Sequence, residues 1–246
     1  MTENKTEAVE ETGAGSELDF DALLDTYGIS DEESGHAAAI AAREMILSLA
    51  RTVVPSGAIT MDHIVVCGFV ARAQSLHEAS IASVQANNPH AAFTLLRAYA
   101  EQCAAILYMT DHPEKAKPLS GEGAGYGVKI GTITNYAQNS GRMPSFREVY
   151  NRLSKYAHPS AAGHFASVRV GDDRSISWQS APRFKREEEK LIAYGWCVEF
   201  AHATKLFGYE FAIARGLGKF VPADQVASVE TDPEPAPPVW SSNVFE

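Results

Sequence analysis

Cysteine is scarce in this chain of 246 residues, and the shortage excludes a good deal. Only Cys67, Cys103 and Cys197 occur, far apart and each in an apolar helical setting. They read as buried thiols of a reducing compartment, not as a disulfide or zinc framework. No His-x-x-x-His or Cys-x-x-Cys pair offers a metal a ready pair of ligands. His158, His164 and His202 stand singly, so no metal site and no cofactor are expected. The phosphate-loop and dinucleotide fingerprints are missing; the alternating Gly121, Gly123, Gly125 and Gly127 follow no strand and lead to no Gly-Lys-Ser/Thr. There is no nucleophile elbow for Ser-His-Asp chemistry. No apolar run behind a basic start marks a signal peptide, and no stretch passes as a membrane span. A cytoplasmic protein with no membrane partner is the expectation.

What is present is an apolar, helix-forming body between polar ends. Hydrophobic residues make up 45% of the chain, enough for a sizeable core. The net charge of −10 is unevenly spread: residues 1–35 hold eleven acids and one lysine, and 219–246 hold five acids and one lysine. The remaining 36–218 have nineteen basic and fifteen acidic residues, and 129–190 have eleven and six. A mildly basic body therefore lies between acidic ends, which allows an anionic ligand. Residues 1–15 are expected to be a disordered acidic arm and 219–246 a disordered Pro-rich tail, with one helical domain at 16–218.

Helical periodicity runs through most of that domain. Ser16 is a candidate N-cap for a short amphipathic helix ending at Gly28. Asp31–Val54 carries Ile40, Met45, Ile46, Leu49 and Val53, and Thr60 is a candidate N-cap for Met61–Asn87 with Ile64, Val65 and Phe69. His77-Glu78 on that helix reads as surface. Pro89–Met109 is apolar or small almost throughout and reads as the buried central helix. Its Arg97 and Glu101, spaced i, i+4, are expected to be largely buried and paired, as a structural clamp or as the wall of a site. Tyr126–Asn139 reads as a further helix. Ser145–Ala157 opens with the capping-box pattern Ser-x-x-Glu and carries the stripe Phe146, Val149, Tyr150, Leu153, Tyr156, Ala157. Arg147, Asn151, Ser154 and Lys155 are expected to face away. At about 164–178 the period changes to two: Val168 and Val170, then Ile176 and Trp178 beyond Gly-Asp-Asp-Arg, predict a β-hairpin. Pro182 leads a last long helix. The fold class expected is mainly α, a bundle of six or seven helices with a small appended β-hairpin.

Chemistry is most concentrated in Tyr150–Ser160, YNRLSKYAHPS. His158 follows a helix C-terminus, where the dipole favours imidazolium, and Pro159 turns the chain away. Such a histidine serves as an acid or base near neutral pH, or simply caps the last carbonyls. Arg152, Ser154, Lys155, Tyr156 and Ser160 stand beside it in sequence. A cation with a titrating histidine suits a phosphodiester, on whose oxygens charge grows in the transition state.

The spacing Arg152-x5-His158, downstream of the Arg97/Glu101 helix, resembles the Arg-x(4–6)-His motif of the HEPN superfamily. The stretch around it also resembles uncharacterised prokaryotic helical proteins of the abortive-infection type. The likeness spans roughly 61–205. It implies a helical homodimer that binds RNA or cleaves it without a metal, in phage defence or stress. Arg152 would then stabilise the phosphate and His158 assist the 2′-hydroxyl. Arg97, Glu101, Ser154, Lys155, Tyr156 and Ser160 would support or bind. One departure is Leu153, directly after the arginine, where active families carry a polar residue. The alternative is a non-catalytic helical interaction or dimerisation module.

Overall fold

The computed structural model describes residues 18–53, 59–115, 127–143, 145–157 and 167–217. The acidic arm, the tail, most of the glycine-rich connector, the candidate cap Ser16, and His158, Ser160 and His164 lie outside the described residues. Among the described residues are seven α-helices and one hairpin: α1 Phe20–Thr26, α2 Glu32–Val53, α3 Met61–Gln85, α4 Pro89–Asp111, α5 Ile130–Asn139, α6 Phe146–Ala157, β1 Val168–Val170, β2 Ile176–Trp178 and α7 Glu187–Ala214. A 3-10 turn, Pro113–Lys115, follows α4. No described helix is long and apolar enough to cross a membrane.

Local chemistry sets the boundaries. Asp19 caps α1, accepting from the Ala22 amide at 2.9 Å. Thr60 caps α3 reciprocally with His63. The turn into α4 has Asn87 in the left-handed region at φ 56°, then Asn88 accepting from the Ala91 amide, then Pro89 in the first turn. The last helix starts at Glu187, five residues after Pro182. The hairpin pairs Val168 with Trp178 and Val170 with Ile176, antiparallel. Those four side chains therefore share one face. Val170, Ile176 and Trp178 are 69%, 75% and 74% exposed, so that face is not part of the core.

Two helices share the centre: α4, which packs against α3, α5, α6 and α7, and α7 itself. Every residue from Leu191 to Thr204 is buried, and α7 packs against α1, α2, α3 and α4. On the α2 seam the approach is close enough that a Cβ on Gly208 would overlap Leu49. Both α4 and α7 are apolar, but α4 keeps a narrow open line. His90, Thr94, Arg97, Glu101 and Ala105 are all partly or fully exposed and follow helical spacing. The short α6, packed beside α4, leaves that line partly open.

Other expectations also need correcting. His77 is fully buried, because α3 turns it toward α2, where Nε2 lies 2.8 Å from the Ala39 carbonyl oxygen. Only its neighbour Glu78 reaches the rim, where it pairs with Arg43 at 2.7 Å. Ile40 and Ile64 fit the apolar period but are 43% and 56% exposed. Cys67 is exposed, whereas Cys103 and Cys197 are buried; all three are free thiols.

Candidate functional site

Two opposite sides of α6 carry the polar groups singled out in the sequence. A helix turns about 100° per residue, so Tyr150 and Ser154 share a face while Arg152 lies roughly 200° from Tyr150. This divides the candidate residues into two places.

On the α4 side, Arg97 and Glu101 are paired, with Nε 3.3 Å from Oε1. Their side chains are 22% and 24% exposed, so the pair is half-buried instead of sealed in the core. Tyr150 joins them. Its hydroxyl accepts from an Arg97 terminal nitrogen at 2.8 Å and donates to Glu101 Oε1 at 2.7 Å. The Arg97 guanidinium also lies 5.0 Å from the centre of the Tyr150 ring, a cation–π distance. Burial raises the Tyr150 pKa above its usual value; donation from Arg97 opposes this, and the Glu101 carboxylate adds to it. The Tyr150 ring is stacked on Phe146 at 5.6 Å, which fixes where the hydroxyl points. One turn further on, Ser154 Oγ is buried and has no hydrogen-bond partner among the described residues.

On the other side, Arg152 lies over the Phe20 ring at 4.3 Å. It lines an open groove of about 620 Å³ between α1, α6 and the start of α7. Arg186 shares the groove, with the carboxylates of Asp19, Asp21, Glu188 and Glu189. Tyr156 packs its ring on Phe93 at 4.3 Å. Its pKa is raised first by burial and then by the nearby Glu189, with Arg152 and Arg186 opposing. Lys155 is exposed on α6.

The structure thus brings Arg97, Glu101 and Tyr150 together, with Ser154 on the same face of α6, and sets Arg152 apart from them. The Tyr150 hydroxyl escaped the sequence reading because tyrosine on an apolar stripe reads as packing. A signal was available: Tyr150, Ser154 and His158 recur every four residues. A second polar group was also missed. Glu199 is buried at 2% exposure on α7 and accepts from the Tyr27 hydroxyl. The Tyr27 ring in turn meets His202 edge-on at 5.4 Å. Glu199 and His202 form a Glu-x-x-His spacing, as do Glu33 and His36. Among the described residues, no group of three or more His, Cys, Asp or Glu could hold a metal ion.

No family model, no curated protein and no solved structure matches this chain.

Proposed function

We propose that this protein is a HEPN-like helical domain that engages RNA at the α4–α6 polar cluster, with Arg97 in place of Arg152 as the phosphate-facing cation. One observation carries the reading: the Tyr150 hydroxyl holds Arg97 and Glu101 together in a half-buried cluster between α4 and α6. A half-buried guanidinium is a stronger phosphate donor than an exposed one, because the local dielectric is lower and its planar fork is already oriented. The Arg152 groove suits a phosphate poorly, since four carboxylates there face two guanidiniums. His158, the residue after the last one of α6, supplies the titrating group of the resemblance. In that reaction the 2′-hydroxyl oxygen attacks phosphorus and its proton passes to the base. The bond from phosphorus to the 5′ oxygen breaks as that oxygen takes a proton from the protonated base or from water, leaving a cyclic phosphate and a 5′-hydroxyl.

The test is incubation of the whole chain with single-stranded RNA in EDTA. Cyclic-phosphate products that disappear in His158→Ala support the nuclease form of the reading. Salt-sensitive binding without cleavage reduces it to an RNA-binding module. Absence of both removes RNA from the account.

One observation favours a second reading, an interaction or dimerisation module. The hairpin presents Val170, Ile176 and Trp178 on one exposed face, and exposed apolar patches mark contact surfaces. A concentration-dependent change in sedimentation that Trp178→Ser abolishes would support it.

A further inference from the structure

We propose that α1 is a releasable acidic strap, closed over Arg152 and Arg186 on the side of α6 away from Arg97, and that its release opens that side to an RNA strand. The consequence for RNA rests on the reading above; the strap itself does not.

The attachment of α1 is slight. A helix of seven residues is not stable alone in water, so α1 is helical because it is docked. Leu23 is its one buried residue. It seats on Gly195, where an added Cβ would lie 3.1 Å from Leu23 Cδ2. Beyond that seat, Phe20 meets the Trp196 ring edge-on at 5.9 Å, and the Tyr27 hydroxyl donates to the Glu199 carboxylate. The joint to α2 is Gly28, exposed and in the left-handed region at φ 63°. Glycine turns the chain there without strain. Ile29, buried immediately after it, anchors the far side of the hinge.

The chemistry of α1 fits what it covers. Two carboxylates of the groove, Asp19 and Asp21, ride on α1 and its cap, and so does the Phe20 ring that lies against Arg152. Closed, the groove sets four carboxylates against two guanidiniums and repels a polyanion. Open, it keeps only Glu188 and Glu189 of those carboxylates, and the Phe20 ring no longer occupies the Arg152 guanidinium. Lys155, exposed three residues further along α6, then borders the same side. Release therefore converts a covered arginine into one that can take a phosphate in its planar fork.

The experiment uses the full chain carrying Cys67→Ser, Leu23→Cys and Gly195→Cys. A Cβ on residue 195 would lie 3.3 Å from Leu23 Cγ, which suits a disulfide whose Cβ atoms stand about 3.5–4.5 Å apart. Oxidation then shuts the strap and reduction frees it, within one protein. Hydrogen exchange reads the strap alone. In the reduced protein the α1 amides should exchange at least about a hundredfold faster than those in the middle of α2, and oxidation should slow them at least about tenfold. Anisotropy with labelled single-stranded RNA reads the consequence. The reduced form should bind at least about threefold more tightly, and adding Arg152→Ala and Arg186→Ala should erase the difference. Phe20→Ala in the otherwise native chain should loosen α1 and tighten RNA binding. Exchange of α1 only on global unfolding, or equal RNA affinity of the two forms, would overturn the proposal, as would a disulfide that does not form. RNA binding by neither form would sink the RNA reading and the regulation built on it, while the exchange result still decides the strap.

Discussion

Tyr150 donates its hydroxyl proton to Glu101 Oε1 at 2.7 Å, and this bond crosses from α6 to α4. The same oxygen accepts from Arg97, so one phenol bridges both members of an ion pair. Tyr150→Phe keeps the stacked ring and removes the bridge alone. Hydrogen bonds to charged groups contribute about 1.5–3 kcal/mol each; partial exposure of the pair brings the expected loss to about 1–2 kcal/mol. Urea unfolding of the two proteins measures it, and an unchanged midpoint would mean the bridge does not form. Glu101→Ala should cost less than the roughly 3–5 kcal/mol of a fully buried pair, because the Arg97 it leaves behind can reach water.

The α2–α7 seam predicts a steric effect. A methyl on Gly208 would overlap the buried Leu49 side chain. Gly208→Ala should destabilise the fold by about 1–3 kcal/mol through overpacking, despite the better helix propensity of alanine. Leu49→Ala creates a cavity by itself, yet the double variant should lose less than the sum of the two single losses. Strict additivity in that cycle would show that the two positions do not touch.

Acid sensitivity should arise at His77. Burial depresses its pKa below 6.5, outweighing the favourable bond to the Ala39 carbonyl. A carbonyl only accepts, so Nε2 carries the proton; Nδ1 is buried without a partner among the described residues. The native state thus holds a neutral imidazole, and the unfolded chain binds the proton more readily. The stabilising contribution is present above pH 6.5 and is lost as pH falls toward the depressed folded value. His77→Gln should flatten the slope of stability against pH below 6.5. An identical slope would assign the acid limb to other groups.

The alkaline limb has the opposite sign. Burial raises the Cys103 thiol from 9.0 to about 12, so its contribution is complete below pH 9 and fades as pH climbs toward 12. Tyr136 moves in the same direction, to about 12, with desolvation as the first cause and the bond to Asp111 as the second. Cys103→Ala should be less stable at neutral pH but lose stability less steeply between pH 9 and 12. Thermal melts across that window compare the two slopes, and parallel curves would contradict the assignment.

Much of the fold was legible because local signals and burial agree. Thr60 and Pro89 mark the helix starts they suggest, and Phe146, Val149 and Leu153 bury the stripe their spacing defines. That α7 shares the centre with α4 was not legible. Both α4 and α7 are apolar, and only the packing shows that α7 is enclosed from Leu191 to Thr204 while α4 keeps an open line. The site was half legible. Arg97 and Glu101 announced themselves as charges in an apolar helix. Arg152 stands beside Tyr150 and Ser154 in the chain, yet helical rotation carries it to the other side of α6, over Phe20. Tyr150 was hidden by its dual nature, an apolar ring with a polar tip.

The central claim is that RNA phosphate meets Arg97 at the α4–α6 cluster, and fluorescence anisotropy with labelled single-stranded RNA tests it most directly. Affinity is measured from about 50 to 200 mM salt for the wild type, Arg97→Ala, Arg152→Ala and the exposed control Arg51→Ala, each first shown to be folded by circular dichroism. The account predicts weaker binding in Arg97→Ala, a salt slope shallower by about one, and wild-type behaviour in the control. Wild-type affinity and slope in Arg97→Ala, or a loss confined to Arg152→Ala, would contradict it.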